Sequence, residues 1–149
     1  MSEPTLNVQS DQLSLKQIFE APISRLFTYF TEPEFLSQWH APSDTMTTTA
    51  EVNLQVGGSY RIAMTDADGK THTAIGQFIE INKPTKLVYS WAWEGNDSMD
   101  TLVTVNFKEV GEQTEVELVH TGFDQAEAAQ HHSQGWSGIF MQLEQFLKN

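Results

Sequence analysis

From residue 45 to about residue 121 the sequence alternates with a period of two, and this constrains the fold more than any other feature. "TTTAEVNL" sets Ala50, Val52 and Leu54 against polar neighbours. "SYRIAMT" places Tyr60, Ile62 and Met64 on one side, "LVYSWAW" Leu87, Tyr89, Trp91 and Trp93, "TLVTVNF" Val103, Val105 and Phe107, and "TEVELVH" Val116, Leu118 and His120. In the long run up to Ile81, Ile75, Ile79 and Ile81 are in phase. Gly57-Gly58, Asp68-Gly69, "NKP" at 82–84, "GNDS" at 95–98 and Gly111 are turn signals between these runs. Strict alternation predicts strands with one buried and one wet face, and therefore an antiparallel sheet covered on one side.

What covers it lies before and after. "LSLKQIFEA" (13–21) reads as a first strand with Leu13, Leu15 and Phe19 on one face. Pro22 opens a helical pattern, with Ile23, Leu26, Phe27 and Phe30 as its stripe. "TEPE" (31–34) offers Thr31 and Glu34 as a capping box for a second short helix that buries Phe35, Leu36 and Trp39. A long terminal helix follows, with Asp124 and Glu127 as capping residues and Trp136, Ile139, Phe140, Leu143, Phe146 and Leu147 as its apolar stripe. Residues 1–11 are polar and aperiodic and read as a loose tail, leaving 12–149 as a single domain. The fold class expected is α+β. A strongly curved sheet cannot lie flush against one helix, so a cavity or groove between them is the default ligand site.

Composition narrows the function. The 149 residues contain no cysteine, which removes disulfides and thiolate chemistry and fits a reducing cytoplasm. No apolar run approaches the ~18 residues of a membrane span, and "MSEPTLNVQSDQ" lacks the regions of a signal peptide. Twenty acidic and eight scattered basic residues give a net charge of −12, whose field repels nucleic acid and anionic membranes. There is no nucleophile elbow, no phosphate loop and no histidine spacing suited to a helical zinc site, so neither metal nor cofactor is expected.

The stretch "HHSQGWSGIF" (131–140) puts two glycines inside the terminal helix, each costing about 0.8–1.0 kcal/mol against alanine. A turn of about 100° per residue sets His132 within the apolar stripe and His131 outside it. Gly135 falls on the flank, where a missing Cβ permits close approach of a strand, the small helices or a ligand. Gly138 falls near the back and suggests only a tolerated weakness or a bend.

The order of elements, with "APISRLFTYFTEPEFLSQW" (21–39), "VGGSYRIAM" (56–64), "GQFIEINKPTKLVYSWAW" (76–93), "TLVTVNFKEVGEQTEVELVHTGF" (101–123) and "GW" (135–136), resembles the helix-grip fold of the START/SRPBCC superfamily, which includes the birch-pollen-allergen-like proteins. Its local motifs are similar to those of the activator-of-heat-shock-ATPase-like (AHSA-type) branch. One departure is "WH" at 39–40, where a second aromatic is expected.

The resemblance implies a single-domain binder of a small apolar molecule, or a relative of the C-terminal half of a co-chaperone with a role in the stress response. The first reading is non-catalytic binding of a hydrophobic or aromatic ligand. Its walls would be Tyr60, Met64, Ile75, Tyr89, Trp91, Val103, Trp136 and Phe140, with His120 and His132 orienting polar groups and Trp39 guarding an end. The plainer reading of these aromatics is ordinary core. The alternatives are a modulator of a chaperone ATPase, and a cyclase or hydrolase using His132 or His120 as base. A monomer or homodimer is expected.

Overall fold

The computed structural model describes residues 4–95 and 100–148. Eight strands form one antiparallel sheet in the order β1-β2-β8-β7-β6-β5-β4-β3. The strands are β1 (Thr5–Val8), β2 (Gln12–Phe19), β3 (Thr47–Val52), β4 (Ser59–Thr65), β5 (Thr71–Asn82), β6 (Lys86–Trp93), β7 (Thr101–Val110) and β8 (Gln113–Thr121). Helices α1 (Ile23–Thr31) and α2 (Pro33–Trp39) carry the chain from β2 to β3 at the far edge, and α3 (Ala126–Leu147) closes the chain. This is the helix-grip architecture, a curved sheet holding a long C-terminal helix.

One face of the sheet makes the core. Leu13, Leu15, Val103, Val105, Val116 and Leu118 on β2, β7 and β8 are almost completely buried, as are Phe140 and Leu143 on α3. Phe140 meets Phe19 edge-on at 5.5 Å between ring centroids, so this half of the helix packs directly on the sheet. Trp39 is also deep in the core, its Nε1–H donating to the Tyr29 carbonyl at 3.1 Å and its ring 4.9 Å from Phe30, which locks α2 onto α1.

Several local expectations are corrected. Thr5–Val8, assigned to the loose tail, pair with β2 from Thr5↔Lys16 to Val8↔Leu13. An edge strand with neither face deeply buried carries no alternation to read. Residues 1–3 lie outside the described part, as does the turn at 95–98 beyond Gly95.

Thr31 ends α1 and donates to the Phe27 carbonyl at 2.9 Å rather than capping α2, whose N-cap is Glu32. Gln125 is the N-cap of α3, with no side-chain cap bond, in place of Asp124. The strand after Gly57-Gly58 begins on phase, but β5 is irregular. Ala74 and Phe78 lie on the inner face, and a register shift between Phe78 and Glu80 brings Ile81 to that face as well. Ile79 is therefore 51% exposed, and Ile75 faces outward beside its register partners Arg61 and Ala92.

Candidate functional site

The concave face is not hollow along its whole length. An apolar opening lies along the N-terminal half of α3. There a pocket of about 230 Å³ is lined by His131, His132, Gly135, Trp136 and Ile139 from α3, Met64 from β4, Trp91 and Trp93 from β6, and Pro42 from the α2–β3 connection. Tryptophans at alternating positions 91 and 93 of β6 bring two flat walls to the same face, and α3 supplies the third. Larger concavities exist elsewhere. One of about 730 Å³ lies on the outer face of β3 to β6 among Glu51, Arg61, Gln77 and Asp100. Another of about 500 Å³ lies between Glu20, Gln113 and the end of α3. Both are rimmed by charged or amide side chains and suit an apolar guest less than the tryptophan pocket.

Backbone packing against the helix occurs at Gly138, where only a tolerated weakness or a bend is expected, while Gly135 borders the pocket. A Cβ on Gly138 would overlap the Pro42 carbonyl oxygen, so Gly138 is the point of close approach between α3 and the α2–β3 connection. A Cβ on Gly135 would meet nothing within 4 Å, because Gly135 borders the pocket. The helix wheel gives angles about one axis and carries no information on which loop returns to the flank, which is why Gly138 had no account.

Of the residues selected from sequence, Met64, Trp91, His132 and Trp136 come together in this pocket. Tyr60 and Tyr89 border a separate space of about 20 Å³ with His40. Burial raises the proton affinity of both phenols. Tyr60 is occupied structurally: its ring packs against Gly76 and its hydroxyl donates to the Ser90 carbonyl at 2.6 Å, so it braces β4 to β6 across β5. Trp39, Val103 and Phe140 are core. Ile75 is on the opposite face, for the reason of register given above.

His120 and His132 stand next to one another behind the tryptophans, their rings 5.1 Å apart and perpendicular, with Phe123 within 4.8 Å of both. Trp136 Nε1–H donates to His120 Nδ1 at 3.0 Å. Thr101 donates to the Trp91 carbonyl at 2.9 Å and therefore accepts from His120 Nε2–H at 2.6 Å. The network assigns His120 as the neutral Nε2–H tautomer. Burial, reinforced by His132, lowers its pKa to about 2. His132 donates from Nδ1 to the Ala128 carbonyl at 2.8 Å and accepts at Nε2 from Trp93 Nε1–H at 3.2 Å. Burial lowers its pKa too. A general base needs a free lone pair directed at substrate. Both imidazoles have already committed theirs to tryptophan N–H groups, and these bonds orient the pocket walls. Among the described residues no group of three or more histidine or acidic side chains could hold a metal ion.

His40, the departure in "WH", is a site residue that sequence reasoning missed. It is 3% exposed. Its ring lies 5.7 Å from Trp136 and 6.3 Å from Trp91, and burial lowers its pKa to about 4. Its Nδ1 and the Nε1 of Trp91 are buried without a hydrogen-bond partner among the described residues. The substitution of an imidazole for an expected indole or phenyl was the available signal.

The family described as activator of Hsp90 ATPase homolog 1-like protein matches residues 20–148, which include every pocket residue. The chain belongs to this family. Solved structures of similar shape include a protein from Chromobacterium violaceum, 20% identical over 93% of this chain and 98% of that one, with a TM-score of 0.84. A protein from Rhodobacter sphaeroides is 21% identical over 98% of both chains, with a TM-score of 0.83. The AHSA1 protein from Silicibacter pomeroyi is 19% identical over 92% of this chain and 97% of its own, with a TM-score of 0.82. At these identities the likeness establishes a shared fold. No curated protein matches the chain. No described helix is long and apolar enough to cross a membrane.

Proposed function

We propose that this protein binds a small hydrophobic or aromatic molecule, without transforming it, in the pocket between α3 and strands β4 and β6. The observation that carries the reading is the pocket of about 230 Å³ walled by Trp91, Trp93, Trp136, Met64 and Ile139. A cavity of about 150 Å³ lined by apolar side chains accepts benzene, whereas drug-sized ligands occupy about 300 Å³ or more. One or two rings is therefore the fitting size. The committed nitrogens of His120 and His132 favour binding over acid–base turnover. Support for a chaperone partner comes from the family's description alone.

The test is titration with one- and two-ring aromatic molecules, read by tryptophan fluorescence and thermal shift. Saturable quenching and a melting temperature that rises with ligand concentration are expected. Gly135→Phe fills the pocket from a position where an added Cβ has free space, and should weaken binding at least about tenfold while the fold persists. No quenching and no thermal shift across the panel would reduce the pocket to a packing defect. An accelerated chaperone ATPase on addition of this chain would move the function to a protein partner.

A further inference from the structure

One wall of the pocket is held by a proton-sensitive bond. Trp93 Nε1–H donates to His132 Nε2 at 3.2 Å. An indole nitrogen only donates, so His132 Nε2 is bare and the ring proton sits on Nδ1, which donates to the Ala128 carbonyl at 2.8 Å. The two bonds thus fix the neutral Nδ1–H tautomer. A second proton has one place to go, the same Nε2 that accepts from Trp93. Imidazolium donates from both nitrogens, so the Trp93 N–H would then face another N–H, and attraction becomes repulsion. Both side chains are only partly buried, so protons from solvent reach the ring and the indole is not locked in the core. Nothing packed on His132 offsets an added charge. β8 brings His120, 5.1 Å away and held by Trp136 and Thr101. β6 brings Trp93, the β8–α3 connection brings Phe123, and α3 itself brings His131. Among the described residues no carboxylate forms an ion pair with His132.

We propose that His132 is a proton-operated latch on the pocket: neutral, it holds Trp93 as a wall and the apolar guest binds; protonated, it lets Trp93 go and the guest is released. This rests on the binding reading above and adds the regulation of its site. Burial, which outweighs the Ala128 carbonyl, lowers the pKa of His132 from the ordinary imidazole value of about 6.5. Binding is therefore at full strength above that pH and weakens progressively below it. His40 and His120, with pKa values of about 4 and about 2, stay neutral at the start of this range. Linkage requires the converse as well: a guest that needs the neutral ring lowers its proton affinity further, so binding in acid expels a proton.

Naphthalene has no titratable group, so a pH dependence of its binding belongs to the protein. Calorimetric titration of the intact wild-type chain should give equal affinities at pH 8 and pH 7.5, and an affinity at least about threefold weaker at pH 5, where circular dichroism confirms the fold. At pH 5 the binding heat should also change with the ionisation enthalpy of the buffer, the mark of a released proton. His132→Gln keeps an acceptor for Trp93 but takes up no proton, and should bind equally at both ends of the range. His131→Gln should keep the wild-type ratio. On ligand-free, isotope-labelled wild type the Trp93 indole N–H resonance should move upfield on acidification with the same midpoint as the affinity loss, a readout that needs no variant to fold. Equal naphthalene affinity at pH 7.5 and pH 5 overturns the latch and leaves the binding reading standing. A pH dependence that survives in His132→Gln, or vanishes in His131→Gln, overturns the latch too. Failure of naphthalene to bind at any pH overturns both.

Discussion

Three tryptophans and three histidines account for most of what is distinctive here, and two of the indoles donate to an imidazole. Trp136 donates to His120 at 3.0 Å and Trp93 donates to His132 at 3.2 Å, while Trp91 stands beside His40 with both nitrogens unpaired. The two completed pairs hold the indole planes that form the pocket. Removing one donor strands its acceptor. Trp136→Phe keeps most of the ring volume but leaves His120 Nδ1 buried and unpaired, a cost of about 1–3 kcal/mol, besides the packing lost with the smaller ring. Urea denaturation at pH 7 measures it, and a variant as stable as wild type would show that the indole–imidazole bond contributes nothing net. His132→Gln in the same assay should cost less, since His132 is only partly buried and water can replace part of its hydrogen bonding.

At the scale of elements, α3 is two helices in one. Its C-terminal half packs against the sheet through Phe140 and Leu143, and its N-terminal half stands off over the pocket. The glycines mark the change. Gly138→Ala forces the Pro42 backbone to move and should destabilise by about 1–3 kcal/mol. Gly135→Ala meets open space and should stabilise by about 0.5–1 kcal/mol through helix propensity alone. Opposite signs three residues apart are the expected result of paired denaturation curves; equal signs would mean that Pro42 yields freely or that Gly135 is constrained after all.

The same contrast shows what the sequence makes legible. Alternation in β7 and β8 names the inner-face residues correctly because those strands are paired on both sides and buried on one face, whereas in β4 and β6 it misses Ala63 and Val88. It fails at β1, an edge, and at Ile75 and Ile79, which the β5 register shift sets on the face opposite Ile81. The inward lean of His132 follows from helix geometry. The contact between Gly138 and Pro42 does not, because it joins segments almost a hundred positions apart. His40 was visible only as a residue of unexpected type, and its value depends on neighbours from β6 and α3 that no local pattern brings together.

For the molecule as a whole, the buried imidazoles tie stability to pH. His40 and His120 have folded-state pKa values of about 4 and about 2, both set by burial, against about 6.5 for a free imidazole. The unfolded chain therefore takes up protons first as the pH falls. Stability contributed by the neutral forms is complete above pH of about 6.5 and is lost progressively below it, down to the folded-state values. Each such group adds a slope of about 1.4 kcal/mol per pH unit in that window. His132 is shifted in the same direction and steepens the decline. Asp66 and Glu94 are lowered as well, Asp66 mainly by the Lys70 backbone N–H and Glu94 by Arg61, so they add to the loss only nearer the carboxylate range. Urea midpoints should therefore fall between pH 6.5 and 5, before carboxylates dominate. His120→Gln should reduce the proton uptake on unfolding in that window by about one, even if the variant is less stable overall. A slope equal to that of wild type would mean that His120 is protonated in the folded chain, and the hydrogen-bond network drawn through Trp136 and Thr101 would then be wrong.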